Sequence, residues 1–216
     1  NFFIVDSFGS FMKSLLLIGT GIILYMYLVI DKNESIKKIE FPILILLSLI
    51  GMMLMVSSND ILSLFVSIEL QSLALYILVA FSKNEKNSSE AGVKYFVIGS
   101  LSTCIFLFGS SLIYGTFGST NFSEISSLIS QLNEIPLILI IGVVFVLVSL
   151  SLKVSAAPFH MWTPDVYQGS TTLVTAYLSV VPKIASFAVI IRFLVFPFGE
   201  ISVDWGNIIL ILSITS

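Results

Sequence analysis

The stretch PLILIIGVVFVLVSLSLKVSAAPFHMWTPDVYQGS, Pro136–Ser170, decides the fold. Its first half, about 136–153, is an apolar run that ends on Lys153. Such a run is close to the ~20 residues needed to cross a hydrocarbon core of about 30 Å. Its second half, 154–170, holds Pro158, Pro164 and Gly169 together with His160 and Asp165. Each proline removes a backbone donor and resists helix continuation. Unwound backbone at membrane depth persists only inside protein or beside water. The stretch therefore reads as a membrane helix broken next to a charge, with Lys153 beside the carbonyls the break frees. The composition also fits an ordinary interhelical loop.

Working outward, six further apolar blocks appear at about 8–30, 41–56, 61–81, 91–117, 171–196 and 205–216. Pro42 suits the first turn of its helix, and Asp60 suits an N-cap before the third block. Between 118 and 134, Phe122, Ile125, Leu128, Ile129 and Leu132 recur at helical spacing, which predicts a short helix on the membrane surface. The chain of 216 residues is 56% hydrophobic and only 11% charged. Soluble domains carry about a quarter charged residues, so too little polar surface remains to coat a globule in water. The expectation is an all-α membrane protein, a single transmembrane domain over 1–216 with about seven helices, one of them broken. The abrupt start at Asn1 and the short last block read as a fragment, and no basic region precedes the first block as a cleavable leader would require.

Loop charge sets the orientation. The loops 31–40 and 82–90 hold Lys32, Lys37, Lys38, Lys83 and Lys86, while 57–60 and 118–135 hold neither Lys nor Arg. The lysine side is then the cytoplasm or the mitochondrial matrix. Arg192, at the far end of the sixth block, is a mild exception. No basic stretch interleaved with aromatics points to nucleic acid. One cysteine, Cys104, and one histidine, His160, form no metal, haem or iron–sulfur ligand pattern.

Outside the loops, Glu69, Lys94, Lys153 and Lys183 remain within apolar sequence. Facing lipid, the four would cost about 10 kcal/mol or more. They must face protein or water, and such residues are relay candidates by default. Burial disfavours a charged lysine and a nearby carboxylate restores it, so a shift in that carboxylate can make the lysine hold or release a proton. The alternative is structural: Glu69 as a partner in a packing ion pair, Lys94 as an interfacial anchor. His160 is a further relay candidate, though a histidine in such a loop commonly caps a helix. Trp162 and Tyr167 read as interfacial packing.

The segments SIELQSLALYILVA (Ser67–Ala80), EAGVKYFVIGS (Glu90–Ser100), LKVSAAPFHMWTPDVYQGS (Leu152–Ser170) and VTAYLSVVPKIASFAVIIR (Val174–Arg192), after DSFGSFMKS (Asp6–Ser14), resemble the antiporter-like membrane subunits of respiratory complex I, NADH–ubiquinone oxidoreductase. The wording IELQSLALY points to the chain-2 branch rather than its sisters 4 and 5. The resemblance implies an inverted-repeat fold with a broken helix in each five-helix repeat, of which this chain covers the first. It implies a midplane charge chain in which Glu69 matches the key glutamate, Lys153 the lysine at the break, Lys183 the lysine on the next helix and Lys94 one on the preceding helix. It further implies no cofactor in this chain, with NADH, FMN, iron–sulfur clusters and ubiquinone handled by other subunits. The implied partners are other complex I membrane subunits, a segment carrying the second repeat, and lipids. The sequence departs from the family at Gln168, Thr171 and Leu173, where the family carries a glutamate and two prolines. Richness in Ile, Phe, Ser and Asn resembles products of an AT-rich mitochondrial genome, hence the mitochondrial inner membrane, with a bacterial plasma membrane as the alternative. A sodium/proton exchanger subunit shares the broken-helix and lysine pattern, and a purely structural scaffold is the third reading.

Overall fold

The computed structural model describes residues 2–29, 39–82, 85–132 and 134–216, the side chain of Asp204 excepted. Lys32, Lys37, Lys38 and Lys83, and the polar cluster 31–34 expected to end the first helix, lie outside the described residues. Among the described residues there are nine α-helices: α1 Ser7–Val29, α2 Glu40–Ser57, α3 Ile61–Val79, α4 Lys86–Phe117, α5 Phe122–Ile129, α6 Leu137–Val154, α7 Thr163–Gly169, α8 Thr172–Val195 and α9 Ser202–Thr215. Six of them, α1, α2, α3, α4, α6 and α8, are long and apolar enough to cross a membrane. Their outer faces carry large apolar side chains such as Phe11, Ile22, Leu107 and Phe108 in exposed positions, as a lipid-facing surface requires.

Local chemistry ends the helices. Pro42 falls at the third residue of α2, within the first turn where backbone N–H groups have no intrahelical partner. Asp60 caps α3 by accepting from the amides of Leu62 at 2.8 Å and Ser63 at 3.4 Å. The Thr120 hydroxyl donates to its other oxygen at 2.7 Å. Gly118 closes α4 at φ +67°, a conformation that favours glycine. The turn between α2 and α3 is gripped from both sides. The Ile4 amide donates to the Ser57 carbonyl, and the Phe122 amide to that of Asn59. Because Asp60 is buried and serves three donors, Asp60→Ala should destabilise the fold by about 1–2 kcal/mol. A lowered Tm of the purified protein is the expected readout, and an unchanged Tm would contradict this role.

Helix α4 begins at Lys86, five residues before the expected start at 91, and Ser88 anchors this extra turn by donating to the Val79 carbonyl at 2.8 Å. Its 32 residues make it about 48 Å long, longer than the apolar core. The packing is α4 on α6 and α3, α2 on α3, and α8 on α1, α2 and α6. One close approach is between Gly109 on α4 and Gly142 on α6. A Cβ at Gly109 would lie 2.7 Å from the Gly142 carbonyl oxygen and 2.9 Å from the Val146 amide. Small residues at such crossings let membrane helices gain dispersion contacts that larger ones forbid.

Two polar links tie α8 into the bundle. Tyr177 shares a 2.8 Å hydrogen bond with Ser48. Arg192 donates to both oxygens of Asp6, at 2.7 and 2.8 Å. Arg192, an exception to the loop-charge pattern, is thus a buried partner. Burial pushes the Asp6 carboxyl up, but the hydrogen bonds and charge of Arg192 outweigh this and hold it below the usual carboxylate range. Helix α5 buries Phe122, Ile125 and Ile129, and Phe122 meets Phe193 edge-on at 5.9 Å. The face expected to rest on the membrane is covered by protein.

Candidate functional site

Three helix faces meet beside the break. On α3, Glu69, Ser72 and Tyr76 follow i, i+3, i+7 spacing and share one face. On α4, Tyr95, Gly99, Ser102 and Thr103 do the same, and on α6 Ser149 precedes Lys153 by one turn. The Lys153 ammonium donates to the Ser72 hydroxyl at 2.8 Å, which in turn donates to the Ile68 carbonyl at 2.7 Å. The Thr103 hydroxyl donates to Glu69 Oε1 at 2.6 Å. Ser102 and Ser149 join α4 to α6 through a 3.0 Å hydroxyl contact.

Glu69 and Lys153 therefore face one another electrostatically while each is bonded to a hydroxyl, not to the other. Among the described residues, Glu69 forms no ion pair with a lysine. Hydroxyls can both donate and accept, so each charged group is held by a partner able to pass or reorient a proton. A cavity of about 20 Å³ adjoins Lys153, lined also by Tyr76, Tyr95, Gly99, Ser102 and Trp162. About 10–15 Å³ suffices for one water.

The break itself differs from the expectation. After Val154, Ser155 takes φ +66°, and the Ala157–Pro158 peptide is cis. The chain then forms α7 with Pro164 in its first turn, so the break is a two-sided turn with a short helix inside it. Two carbonyls just before Lys153 are occupied. The Leu152 oxygen accepts from the Ser155 amide and from Trp162 Nε1, the latter at 3.1 Å, and the Ser151 oxygen accepts from the Ala156 amide at 3.0 Å. Trp162 is not an interfacial anchor. It is 7% exposed, stacks on Tyr95 with centroids 5.0 Å apart, and braces the break against α6.

The other candidates lie apart from this cluster. Lys94 is exposed and bridges Glu90 and Asp165, each at 2.8 Å, joining α4 to α7. Lys183 is partly buried and stands 5.8 Å over the Tyr167 ring, so Tyr167 also faces the protein. Among the described residues no hydrogen bond or ion pair joins Lys183 to Glu69 or Lys153. His160 is exposed in the turn before α7, and its carbonyl accepts from the Thr163 amide at 3.0 Å.

Ser72, Tyr76 and Thr103 escaped the sequence reading because uncharged residues carry no burial anomaly. The i, i+3, i+7 repeat of polar residues on α3 was the available signal. No group of three or more His, Cys, Asp and Glu able to hold a metal ion occurs among the described residues.

The family model described as NADH:quinone oxidoreductase/Mrp antiporter, TM, matches residues 58–216. NADH-quinone oxidoreductase subunit N of Pelagibacter ubique (strain HTCC1062) is 47% identical over 99% of this chain, and that of Rhodobacter capsulatus is 46% identical over 99%. The chain spans 45% of the length of each. A chain of respiratory complex I from Thermus thermophilus superposes with a TM-score of 0.75 at 32% identity, covering 89% of this chain and 41% of that one. A chain of the Mrp complex from Dietzia sp. DQ12-45-1b superposes at 0.77 and 26% identity, covering 93% and 37%.

Proposed function

The chain belongs to the NADH:quinone oxidoreductase/Mrp antiporter transmembrane family, and from that membership we propose that it is part of a proton-translocating membrane subunit of respiratory complex I, of the subunit-N or chain-2 branch. The observation that carries this reading is the Lys153–Ser72 bond beside a helix break, with Glu69 held by Thr103 on the facing helices. The redox steps, NADH oxidation through FMN and iron–sulfur clusters and ubiquinone reduction, belong to other subunits. Here a proton moves. A charge shift near Glu69 alters how strongly it favours the Lys153 ammonium. Lys153 then gives its proton to adjacent water, and later reclaims one when Glu69 is again unneutralised. Lys183 over Tyr167 is the next station and Lys94 an outlying one at the membrane boundary. His160, exposed at the break, is the remaining candidate. The partners are the other membrane subunits, a segment bearing a second repeat, and lipids. The membrane is a bacterial plasma membrane or the mitochondrial inner membrane, with the 31–40 and 82–90 loops on the cytoplasmic or matrix side. The bacterial relatives support the first of these.

The test uses the intact complex in sealed vesicles. NADH with a ubiquinone should drive proton translocation, and flavin and iron–sulfur clusters should copurify with this chain. Glu69→Gln keeps an acceptor for Thr103 but removes the charge that acts on Lys153. It should lower protons moved per NADH oxidised by about tenfold while the complex assembles normally. Unchanged stoichiometry would remove Glu69 from the path. The likeness to the Dietzia Mrp chain supports a second reading, a sodium/proton exchanger subunit. A flavin-free assembly with sodium-dependent exchange would establish that one instead.

A further inference from the structure

Two cavities share a single side chain. The smaller, about 20 Å³, is the one beside Lys153. The larger, about 580 Å³, lies among Glu40, Leu44, Ala80, Ser89, Val93 and Phe96. Glu40 opens α2 and Ser89 lies in the first turn of α4, so this cavity sits at the helix ends that flank the lysine-rich loops. Tyr76 lines both cavities. Its ring meets Tyr95 and Phe96 edge-on, with centroids 4.9 and 5.6 Å away. It fits only because position 99 is glycine, where a Cβ would come within 2.6 Å of the Tyr76 Cζ and overlap its hydroxyl.

The hydroxyl is the informative atom. It is buried and, like the hydroxyls of Thr20, Ser155 and Tyr167, has no hydrogen-bond partner of good geometry. It lies beside Ser72, which holds Lys153, and within the electrostatic reach of Glu69. The smaller cavity has room for one water, and such a water has Lys153, Ser102 and the Tyr76 hydroxyl around it. A phenol can accept one proton and donate another.

We propose that Tyr76 is a relay residue joining the two cavities, carrying protons between the lysine-loop side and Lys153. The step rests on the translocation reading above. Its hydroxyl oxygen takes a proton from a water in the larger cavity as its own proton passes to the water beside Lys153. At the phenol one O–H bond forms and one breaks; the donating water regains a proton from the lysine-loop side and the accepting water hands its extra proton to the neutral Lys153 amine, so neither water nor phenol keeps a charge. The direction follows the protonation of Lys153.

The test compares Tyr76→Phe, Phe108→Leu and Lys153→Met in the intact complex, in the same vesicles. Tyr76→Phe keeps the ring and removes only the hydroxyl. Its expected result is proton translocation slowed about three- to tenfold, the range one hydrogen bond on the path would carry. The solvent deuterium isotope effect should change as well, with assembly and NADH oxidation by an artificial acceptor unaltered. Phe108→Leu loosens a ring contact of α4, that with Phe145 at 5.0 Å, away from both cavities, and should translocate at the parent rate. Parent-rate translocation by Tyr76→Phe, with Lys153→Met impaired, overturns the Tyr76 assignment and leaves the translocation reading standing. An equal loss in Phe108→Leu overturns it too, since packing then explains the effect. Parent-rate translocation by Lys153→Met overturns both.

Discussion

In vesicles bearing the assembled complex, Lys153→Met is expected to reduce proton translocation by about tenfold or more, on the scale of losing a positioned acid–base group, while NADH oxidation by a hydrophilic artificial acceptor continues. Methionine nearly matches the lysine stem in length and shape. It removes the ammonium and its bond to Ser72 and leaves the packing against α3 in place. Taking a charge out of a low-dielectric site also removes its desolvation penalty, and Glu69 keeps its hydrogen bond from Thr103. The Ser72 hydroxyl keeps its bond to the Ile68 carbonyl at 2.7 Å, so no buried donor is orphaned. This separates the two roles a buried lysine can play. A lysine that merely specified helix packing would leave translocation intact when replaced by methionine. Normal pumping in a normally assembled Lys153→Met complex would establish that structural reading and end the relay one.

The second large effect falls on the crossing that carries Lys153. Gly109→Val is expected to destabilise the α4–α6 pair by about 3 kcal/mol, at the upper end of overpacking costs. It should sharply lower the amount of intact complex seen on native gels. The Cβ meets the Gly142 carbonyl oxygen at 2.7 Å and the Val146 amide at 2.9 Å. These are backbone atoms that cannot rotate away. The helices must separate, which forfeits dispersion contacts along the crossing and pulls Ser149 and Lys153 from their partners on α4 and α3. Gly115→Val on the same helix is the matched control, because nothing lies within 4 Å of a Cβ there. If both variants accumulate equally, the close approach has no energetic weight.

Much of the fold was legible because its signals are local. Apolar runs the length of a bilayer, interrupted by polar turns, announce helices irrespective of what they pack against. Pro158 and Pro164 announce a break irrespective of its shape. Asp60 reads as a cap because its partners lie two and three residues on. The early start of α4 was hidden because Lys86 to Glu90 are polar, and only the Ser88–Val79 bond draws them into the helix. The short helix within the break was hidden because its stability comes from packing against α4, with Gly169 fitting against Ala91 and the Asn87 carbonyl.

For the candidate site, the sequence by itself determined which residues are energetically out of place. A charge in an apolar run is costly wherever the run ends up, and that singled out Glu69, Lys94, Lys153 and Lys183 without any contact being known. Only the tertiary structure decided how those costs are met. Lys94 meets its cost at the surface, with Glu90 and Asp165. Lys183 meets it over an aromatic ring, and Lys153 and Glu69 meet theirs with hydroxyls on neighbouring helices. Which partner a charge finds depends on how three helix faces are rotated when Gly109 and Gly142 bring their axes together. That rotation is a property of the packed bundle and leaves no trace in the hydropathy of any one helix.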